Sequence, residues 1–247
     1  MAVLGIDIGG TGIKGALVDG SGGELLGERF RVRTPRPATP ETVAEGVVRI
    51  VEHFDWKGPV GAGFPAVVRQ GQVCTAANID DSWIGRNAEA IFGAATGCPF
   101  SVLNDADAAG MAEMRFGAGR GRSGVVLVLT IGTGIGSALF TDGRLVPNTE
   151  FGHIEMDGKA AEERTSARVR TRRQLSWKRW ASRVDAYLQR VAFYLWPELI
   201  IIGGGVSKRH EKFLPHLTVD CEIVPARLRN EAGIIGAAAA ADGGSGH

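Results

Sequence analysis

The sequence predicts an α/β protein with two related domains around a cleft, and two observations lead to this prediction. A cluster of glycine and threonine lies between short apolar runs twice, at residues 7–20 and 130–143. The elements that follow each cluster alternate between strand and helix in the same order, which is typical of α/β domains. The two segments match at five positions, where Thr11, Gly12, Ile13, Ala16 and Leu17 correspond to Thr133, Gly134, Ile135, Ala138 and Leu139. The repeated turns are therefore expected to line the cleft from opposite sides.

In the N-terminal half, the first hairpin is followed by alternating residues that indicate a third strand and then by a proline-rich break. Thr39 is predicted to cap a helix that has Pro40 in its first turn. Further along, a short strand runs into Asn104 and Asp105, either of which could cap the next helix. The strands predicted in this half lie at residues 24–33 and 101–103, and a further strand ends at residues 61–65. One helix is predicted to start after Thr39 and a second to span residues 106–116.

The C-terminal half begins after a linker of glycine and arginine at residues 117–124. The second hairpin is followed by a long helical segment at residues 177–196 and by a buried strand at residues 198–202, which opens on three glycines. A helix is expected to start after these glycines. The tail at residues 243–247 is expected to be disordered.

The division into domains follows from the repeat. A chain of 247 residues has enough material for one or two domains. We expect residues 1–108 to form the N-terminal domain and residues 109–231 to form the C-terminal domain. A C-terminal helix at residues 232–247 is expected to pack back on the N-terminal domain.

The two glycine turns are predicted to bind phosphate. A dinucleotide fingerprint or a Walker A loop must run from a strand into a helix, whereas Lys14 is followed by Gly15 and more strand. Glycines free the backbone N–H groups of a tight turn to form a concave anion site, with a threonine hydroxyl beside it. The alternative is that the glycines serve only to make tight hairpins. The phosphate-binding residues expected in the turns are Asp7, Gly9, Gly10, Thr11, Gly12, Lys14, Thr130, Gly132, Thr133 and Gly134.

The composition is that of an ordinary soluble globular protein. Hydrophobic residues make up 44% and charged residues 22%, and the net charge of +1 draws the chain neither to nucleic acid nor to a membrane. Three widely spaced cysteines, Cys74, Cys98 and Cys221, suit reduced thiols rather than a metal knuckle or a disulfide. Asp7 interrupts the first apolar run, so neither a signal peptide nor a spanning helix is predicted. We therefore expect a cytoplasmic protein with no nucleic-acid or membrane partner.

Five short motifs, in this order along the chain, resemble the ROK family of sugar kinases. They are Asp7-Ile8-Gly9-Gly10-Thr11, Asn104-Asp105-Ala106, Gly132-Thr133-Gly134, Glu150-Phe151-Gly152-His153 and Gly203-Gly204-Gly205. Each motif alone is weak, but the ordered set is specific, and the likeness runs from residue 3 to about residue 240. The resemblance implies the actin-like/hexokinase fold, which is related to ribonuclease H. A homodimer is expected, because dimers are common in such families.

Two departures from the family pattern refine the expected function. Most members carry a cysteine-rich zinc motif after the Glu-x-Gly-His segment, whereas residues 156–163 contain no cysteine, so no structural zinc is expected. The polyphosphate-using branch also lacks this motif. The resemblance therefore implies Mg²⁺-dependent phosphoryl transfer from polyphosphate, and from ATP, to the 6-hydroxyl of glucose, with mannose as a further acceptor. The loop Gly63-Phe64-Pro65-Ala66 stands in place of the family's Gly-x-Pro-Gly.

Two other functions remain open at this level. One is a kinase that uses ATP alone on another sugar, such as mannose or an N-acetylated amino sugar. The other is a non-catalytic sugar-sensing regulator, because the family includes repressors. The regulator is disfavoured by the presence of Asp105 and both phosphate turns, and because the chain starts directly at the first strand, without the DNA-binding module of the repressors.

The resemblance implies roles for the polar residues. Asp105 is the expected catalytic base, since phosphoryl transfer needs a carboxylate that orients the attacking hydroxyl and accepts its proton. The alternative for Asp105 is a helix cap, and Asp107 is expected to point elsewhere. Carboxylates, an amide and an imidazole together can read the hydroxyls of a hexose. The sugar-binding residues expected are Asn78, Asn104, Asp105, Glu150, His153 and Glu162, with Glu155 and Glu163 as rivals of Glu162 and with the Phe64-Pro65 loop beside Asn78.

The phosphate side has its own expected residues. Asp7 would repel phosphate unless a cation intervenes, so Mg²⁺ held partly through water is expected there. Lys14 is expected either to neutralise phosphate or to be an exposed strand lysine. The glycines Gly203, Gly204 and Gly205 resemble the family's adenosine-side loop, and the alternative is a simple turn.

The segment at residues 164–183 is purely basic, with eight lysine and arginine side chains and no acidic residue. A solvated helix face normally mixes both signs of charge. Polyphosphate could lie along this segment, with an affinity that depends on salt, and the alternative is an unspecific solvated face.

Overall fold

The computed structural model describes residues 1–242. The expected disorder of the tail at residues 243–247 lies outside the described residues. The strands are β1 Ala2–Gly9, β2 Gly12–Asp19, β3 Phe30–Val32, β4 Val60–Phe64, β5 Val68–Arg69, β6 Gln72–Val73, β7 Phe100–Asn104, β8 Val125–Ile131, β9 Ile135–Thr141, β10 Arg144–Val146, β11 Glu155–Met156, β12 Lys159–Ala160, β13 Leu199–Gly203 and β14 Glu222–Pro225. The helices are α1 Pro40–His53, α2 Ala88–Thr96, α3 Asp105–Phe116, α4 Glu162–Thr165, α5 Ala167–Arg172, α6 Trp177–Leu195 and α7 Ala232–Ala241.

The chain forms two compact units. The first comprises Met1–Ala112 together with the C-terminal segment that starts at Glu231, and the second comprises Glu113–Asn230. The first boundary lies at residue 112, inside α3. Each unit has its own apolar core, one around β1, β4 and α1 and the other around β8, β13 and α6.

The first unit contains a five-stranded sheet in the order β3-β2-β1-β4-β7. β1 and β2 form the predicted antiparallel hairpin, and β4 and β7 lie parallel to β1. Helix α1 begins as predicted, with the Thr39 hydroxyl accepting from the Thr42 N–H at 3.4 Å, and buries an apolar stripe that includes Val43, Val47 and Ile50. The core therefore forms where this stripe meets the hairpin.

Helix α7 packs against β1 and β4 of this sheet. The approach is close enough that a Cβ at Gly5 or Gly61 would collide with the carbonyl oxygens of Ile234 and Ala237. Glycine is therefore required at both strand positions.

The third strand is shorter than predicted. Only Phe30–Val32 pairs with β2, and Leu25 forms a single isolated bridge to Val18. Gly27 lies between them with φ +143°, a conformation that interrupts a strand. The prediction of a continuous strand at residues 24–33 was therefore wrong.

The second unit repeats the arrangement, with a five-stranded sheet in the order β10-β9-β8-β13-β14. β8 and β9 form the second predicted hairpin, and β13 and β14 run parallel to β8. Helix α6 has the predicted length to within one residue and buries Trp180, Tyr187 and Leu188 against this sheet. The duplicated hairpin thus belongs to a duplicated sheet.

The helix expected after the three glycines is present as a 3₁₀-helix. Residues Gly205–Lys212 form a 3₁₀-helix with a kink at Arg209, where φ is −127°. Gly204 precedes it with φ +75°, a conformation that L side chains rarely adopt. Among the described residues, no helix combines the length and the apolar character that crossing a membrane requires.

Candidate functional site

The first glycine turn joins β1 to β2 and exposes Gly10 and Thr11. It is braced from the neighbouring strand, because the Arg31 guanidinium donates to the Thr11 carbonyl at 3.0 Å and the Thr34 hydroxyl donates to the Gly9 carbonyl. The turn is therefore held in shape and has a cation against it. Sequence reasoning missed Arg31, since only the pairing of β3 with β2 places it here.

Asp7 and Lys14 lie opposite each other in this hairpin. The Lys14 ammonium donates to Asp7 Oδ2 at 2.9 Å, and both side chains are partly buried. Lys14 is thus an ion-pair partner rather than an isolated exposed lysine. The positive charge beside Asp7 reduces the repulsion that its carboxylate would exert on a phosphate.

Asn104 ends β7 and Asp105 is the first residue of α3. The Asn104 side-chain oxygen accepts from the N–H groups of Ala106 at 2.8 Å and Asp107 at 3.2 Å, which is the cap arrangement. Its amide donates to the Ala66 carbonyl at 3.1 Å, and the residue is 6% exposed. The two capping hydrogen bonds therefore come from Asn104, and its link to Ala66 also holds the loop after Phe64 and Pro65 in place.

Asn78 lies near the first glycine turn. It lines a cavity of about 270 Å³ together with Gly10, Thr34 and Arg36. All of these residues belong to the first unit. The structure therefore brings Asn78 to the first glycine turn, although the two lie far apart along the chain.

The second glycine turn joins β8 to β9 and is closed by a hydrogen bond from the Gly132 N–H to the Gly134 carbonyl at 2.9 Å. Two neighbouring helices contact it. Glu162 at the start of α4 accepts from the Ile135 N–H at 3.0 Å, and the Arg168 N–H in α5 donates to the Gly132 carbonyl at 3.2 Å. The exposed Thr133 lies at its tip. This turn is thus also braced, but by different elements.

Glu150, His153 and Glu162 form a polar cluster in the same unit. His153 Nε2 lies 3.6 Å from Glu150 Oε2. Burial raises the pKa of Glu150. The nearby His153 partly lowers this pKa, and the negative charge of Glu162 raises it further. The two glutamates are therefore close enough to interact electrostatically. The rivals Glu155 and Glu163 are exposed. Glu162 is therefore the glutamate of this segment that shares the cluster.

The three glycines after β13 lie beside the second turn, because Gly203 pairs with Thr130 in the parallel register of β13 and β8. Gly205 lines a second cavity of about 400 Å³. Arg170 from the basic segment lines the same cavity, as do Arg209 and Lys212. Sequence reasoning missed the last two, because only the kinked 3₁₀-helix after β13 places them at this cavity.

The expected site residues thus fall into two sets, each within one unit. The first unit holds Asp7, Gly9, Gly10, Thr11, Gly12, Lys14, Asn78, Asn104 and Asp105, and the second holds Thr130, Gly132, Thr133, Gly134, Glu150, His153, Glu162, Gly203, Gly204 and Gly205. Among residues 1–242, no group of three or more His, Cys, Asp or Glu side chains is arranged to hold a metal ion. Each set combines a glycine turn with side chains that can bond to hydroxyls.

Comparison with known proteins gives close relatives. The chain is 49% identical to the polyphosphate glucokinase of Mycobacterium tuberculosis over 96% of this chain and 90% of that protein. It resembles the crystal structure of the inorganic polyphosphate/ATP-glucomannokinase of Arthrobacter sp. strain KM with a TM-score of 0.92 and 53% identity, covering 96% of both chains. A ROK family glucokinase from Streptomyces griseus, solved with glucose and AMPPNP, matches with a TM-score of 0.82 and 27% identity over 98% of this chain and all of that one.

These structural neighbours confirm the predicted actin-like/hexokinase fold. The model of the ROK family matches residues 3–170, which is more than half of the chain. The matched range includes both glycine turns, Asp105 and the cluster of Glu150, His153 and Glu162. The chain therefore belongs to the ROK family.

Proposed function

We propose that this protein is a sugar kinase that transfers the terminal phosphoryl group of inorganic polyphosphate, and of ATP, to the 6-hydroxyl of glucose. The observation that carries the proposal is the bond from Ile135 to Glu162, since it joins a phosphate turn to a cluster suited to sugar hydroxyls. The likeness to the polyphosphate glucokinase and to the polyphosphate/ATP-glucomannokinase supports the choice of donor and acceptor. The acceptor class includes mannose.

The sugar is held by hydrogen bonds from its hydroxyls to carboxylates and by donation from an imidazole. Glu150, His153 and Glu162 supply these groups, and Asn78 and Asn104 add amide contacts. The partial burial of Glu150 strengthens such bonds because less water competes for them. A sugar analogue that lacks a bonded hydroxyl would leave these groups unpaired and would bind poorly.

Asp105 acts as the base in the transfer step. The sugar oxygen forms a bond to the terminal phosphorus of the donor, and the bond from that phosphorus to the bridging oxygen breaks. Asp105 accepts the hydroxyl proton, and the leaving group is polyphosphate shortened by one unit, or ADP. Asn104, directly before Asp105, accepts two capping bonds at the start of α3.

The glycine turns hold the donor phosphates through backbone N–H groups, with the threonine hydroxyls beside them. Lys14 and Arg31 bring positive charge to the first turn. Mg²⁺ typically binds through one or two carboxylates and completes its shell with waters and substrate phosphates. The single carboxylate of Asp7 fits that pattern, since Lys14 contacts Oδ2 and the second oxygen remains for a metal-bound water. When bound, the ion would supply charge neutralisation on the donor oxygens.

The test is a comparison of initial rates on purified protein with glucose and either polyphosphate or ATP. The proposal expects turnover with both donors, loss of turnover on chelation, and recovery on adding Mg²⁺. Turnover with ATP alone would make the protein an ATP-dependent hexokinase instead. Glucose binding without turnover from any donor would indicate a sugar-sensing regulator.

The homodimer and the cytoplasmic location stay predictions. Three exposed aromatic side chains, Phe193, Tyr194 and Trp196, lie together around the end of α6 and support self-association, because exposed apolar groups are often covered in an assembly. Measurement of the particle mass in solution tests the dimer. A mass equal to one chain at micromolar concentration would contradict it.

A further inference from the structure

The second unit contains a cavity whose polar walls are cationic. Arg170 projects from α5, and Arg209 and Lys212 project from the 3₁₀-helix Gly205–Lys212. No aspartate or glutamate lines the cavity. Among the described residues, no carboxylate lies within ion-pair distance of these three side chains, and the Arg170 guanidinium donates to the Leu175 carbonyl at 3.3 Å. Such a surface attracts a polyanion.

Both walls of this cavity start at the second glycine turn. On one side, the Arg168 N–H in α5 bonds to the Gly132 carbonyl. On the other side, Gly203 pairs with Thr130, and Gly205 follows two residues later at the edge of the cavity. An extended anion whose terminal phosphates occupy the turn therefore has a cationic groove to continue into.

The aromatic residue in the cavity is already engaged. The Arg170 guanidinium lies over the Trp177 ring, 4.0 Å from its centre, and Trp177 also contacts the buried rings of Trp180 and Phe213. This stacking holds the guanidinium in place and covers a ring face that could otherwise stack on a base. The fixed guanidinium is therefore available to contact a chain of phosphates.

We propose that this cavity, which we call the cationic groove, binds the part of a long polyphosphate chain that extends beyond the second glycine turn, through Arg170, Arg209 and Lys212. This inference rests on polyphosphate being a donor, as proposed above. Within the basic segment at residues 164–183, Arg170 lines the groove. Other arginines of the segment, Arg164, Arg173 and Arg179, instead lie near Arg183 and repel its charge.

The experiment compares two variants that each lose two positive charges. Arg209→Gln with Lys212→Gln removes charge from the groove, and Lys208→Gln with Arg190→Gln removes charge from exposed positions outside it. For the groove variant we expect KM for long-chain polyphosphate to rise about tenfold and KM for ATP to rise much less, because ATP brings no further phosphates into the groove and exposed charged contacts contribute modestly each. KM for tripolyphosphate should change little, since a short donor does not reach the groove.

The salt dependence of polyphosphate binding gives a second readout. Loss of two phosphate contacts should reduce the slope of log Kd against log salt concentration by roughly 1.4, using the value for single-stranded polyanions. The control variant should match the unmodified protein in KM and in slope. Three results would each overturn the proposed role of the groove. They are an unchanged KM for long polyphosphate, an equal effect of the control variant, and an equal rise in KM for ATP.

The failure of this inference can be told apart from the failure of the proposed function. If the unmodified protein does not turn over polyphosphate, the proposed donor is wrong. Direct titration with long-chain polyphosphate then tests the groove on its own. Weaker binding by the groove variant alone would support it, and equal binding by both variants, or no binding at all, would overturn it.

Discussion

The carboxylate of Glu162 accepts a hydrogen bond from the backbone N–H of Ile135, with 3.0 Å between Oε2 and the nitrogen. Ile135 is the first residue of β9, directly after the second glycine turn, whereas Glu162 belongs to the cluster with Glu150 and His153. One side chain thus connects the turn proposed to bind the donor with the residues proposed to bind the sugar. Variants of Glu162 should therefore affect both substrates.

Substitutions at Glu162 separate these two effects. Glu162→Gln keeps an oxygen that can accept from Ile135, so we expect KM for glucose to rise about tenfold while KM for the donor stays near its original value. Glu162→Ala removes the bond as well, so KM should rise for both substrates. Steady-state kinetics with each substrate varied in turn measures this. The exposed neighbour variant Glu163→Ala is the control, and an equal effect there would contradict the assignment.

Replacing the proposed base should stop the chemistry without preventing sugar binding. We expect Asp105→Asn to lower kcat by about 10²- to 10⁴-fold, because the amide cannot accept the hydroxyl proton. Glucose affinity, measured by calorimetry, should change little. Asp107→Asn is the matched variant two residues along. If Asp107→Asn lost turnover and Asp105→Asn retained it, the two roles would have to be exchanged.

Asn104 should contribute to stability through its cap. Asn104→Ala removes the acceptor for the Ala106 and Asp107 N–H groups and is expected to lower the free energy of unfolding by about 1–2 kcal/mol. Asn104→Asp keeps the cap acceptor and should lose less. Urea unfolding followed by circular dichroism measures both. A larger loss for the aspartate variant would mean that placing a carboxylate beside the Ala66 carbonyl costs more than the cap contributes.

The raised pKa of Glu150 predicts the direction in which protein stability changes with pH. Burial is the main cause, so the folded protein holds this proton to higher pH than the unfolded chain does. As pH rises above the ordinary value of 4.5, the unfolded chain ionises first, and the contribution of Glu150 to stability falls until the folded pKa is passed. As pH rises through this interval, the unfolding free energy of the original protein should therefore decrease relative to that of the Glu150→Gln variant. A difference that is constant with pH would contradict the shift.

Arg31 should support the first glycine turn for either donor. Arg31→Gln removes the bond to the Thr11 carbonyl and one positive charge, so we expect KM to rise several-fold for both ATP and polyphosphate. KM for glucose should stay the same. Arg33→Gln is the control on the same segment, because Arg33 is exposed and lies just beyond β3. An effect limited to one donor would argue against a role at a shared phosphate turn.

Much of the fold could be predicted from the sequence because it depends on neighbours along the chain. The hairpins follow from glycine and threonine between apolar runs, and helix α1 follows from Thr39, Pro40 and the spacing of its apolar residues. These signals are local, so they do not require knowledge of the tertiary structure. Where the local signal was ambiguous, as at residues 24–33, the predicted element was wrong in length.

The sequence by itself determined the duplicated glycine turns, many of the strands and helices in their order, and the family motifs that point to Asp105 and Glu150. The tertiary structure decided which side chains meet. It brought Glu162 to the Ile135 N–H while Glu155 and Glu163 stay exposed, paired Lys14 with Asp7, placed Arg31 against the first glycine turn, and placed Arg209 and Lys212 at the second cavity. The physical reason is that these contacts join residues on different strands and helices, and their geometry depends on sheet register and helix packing rather than on periodicity along the chain.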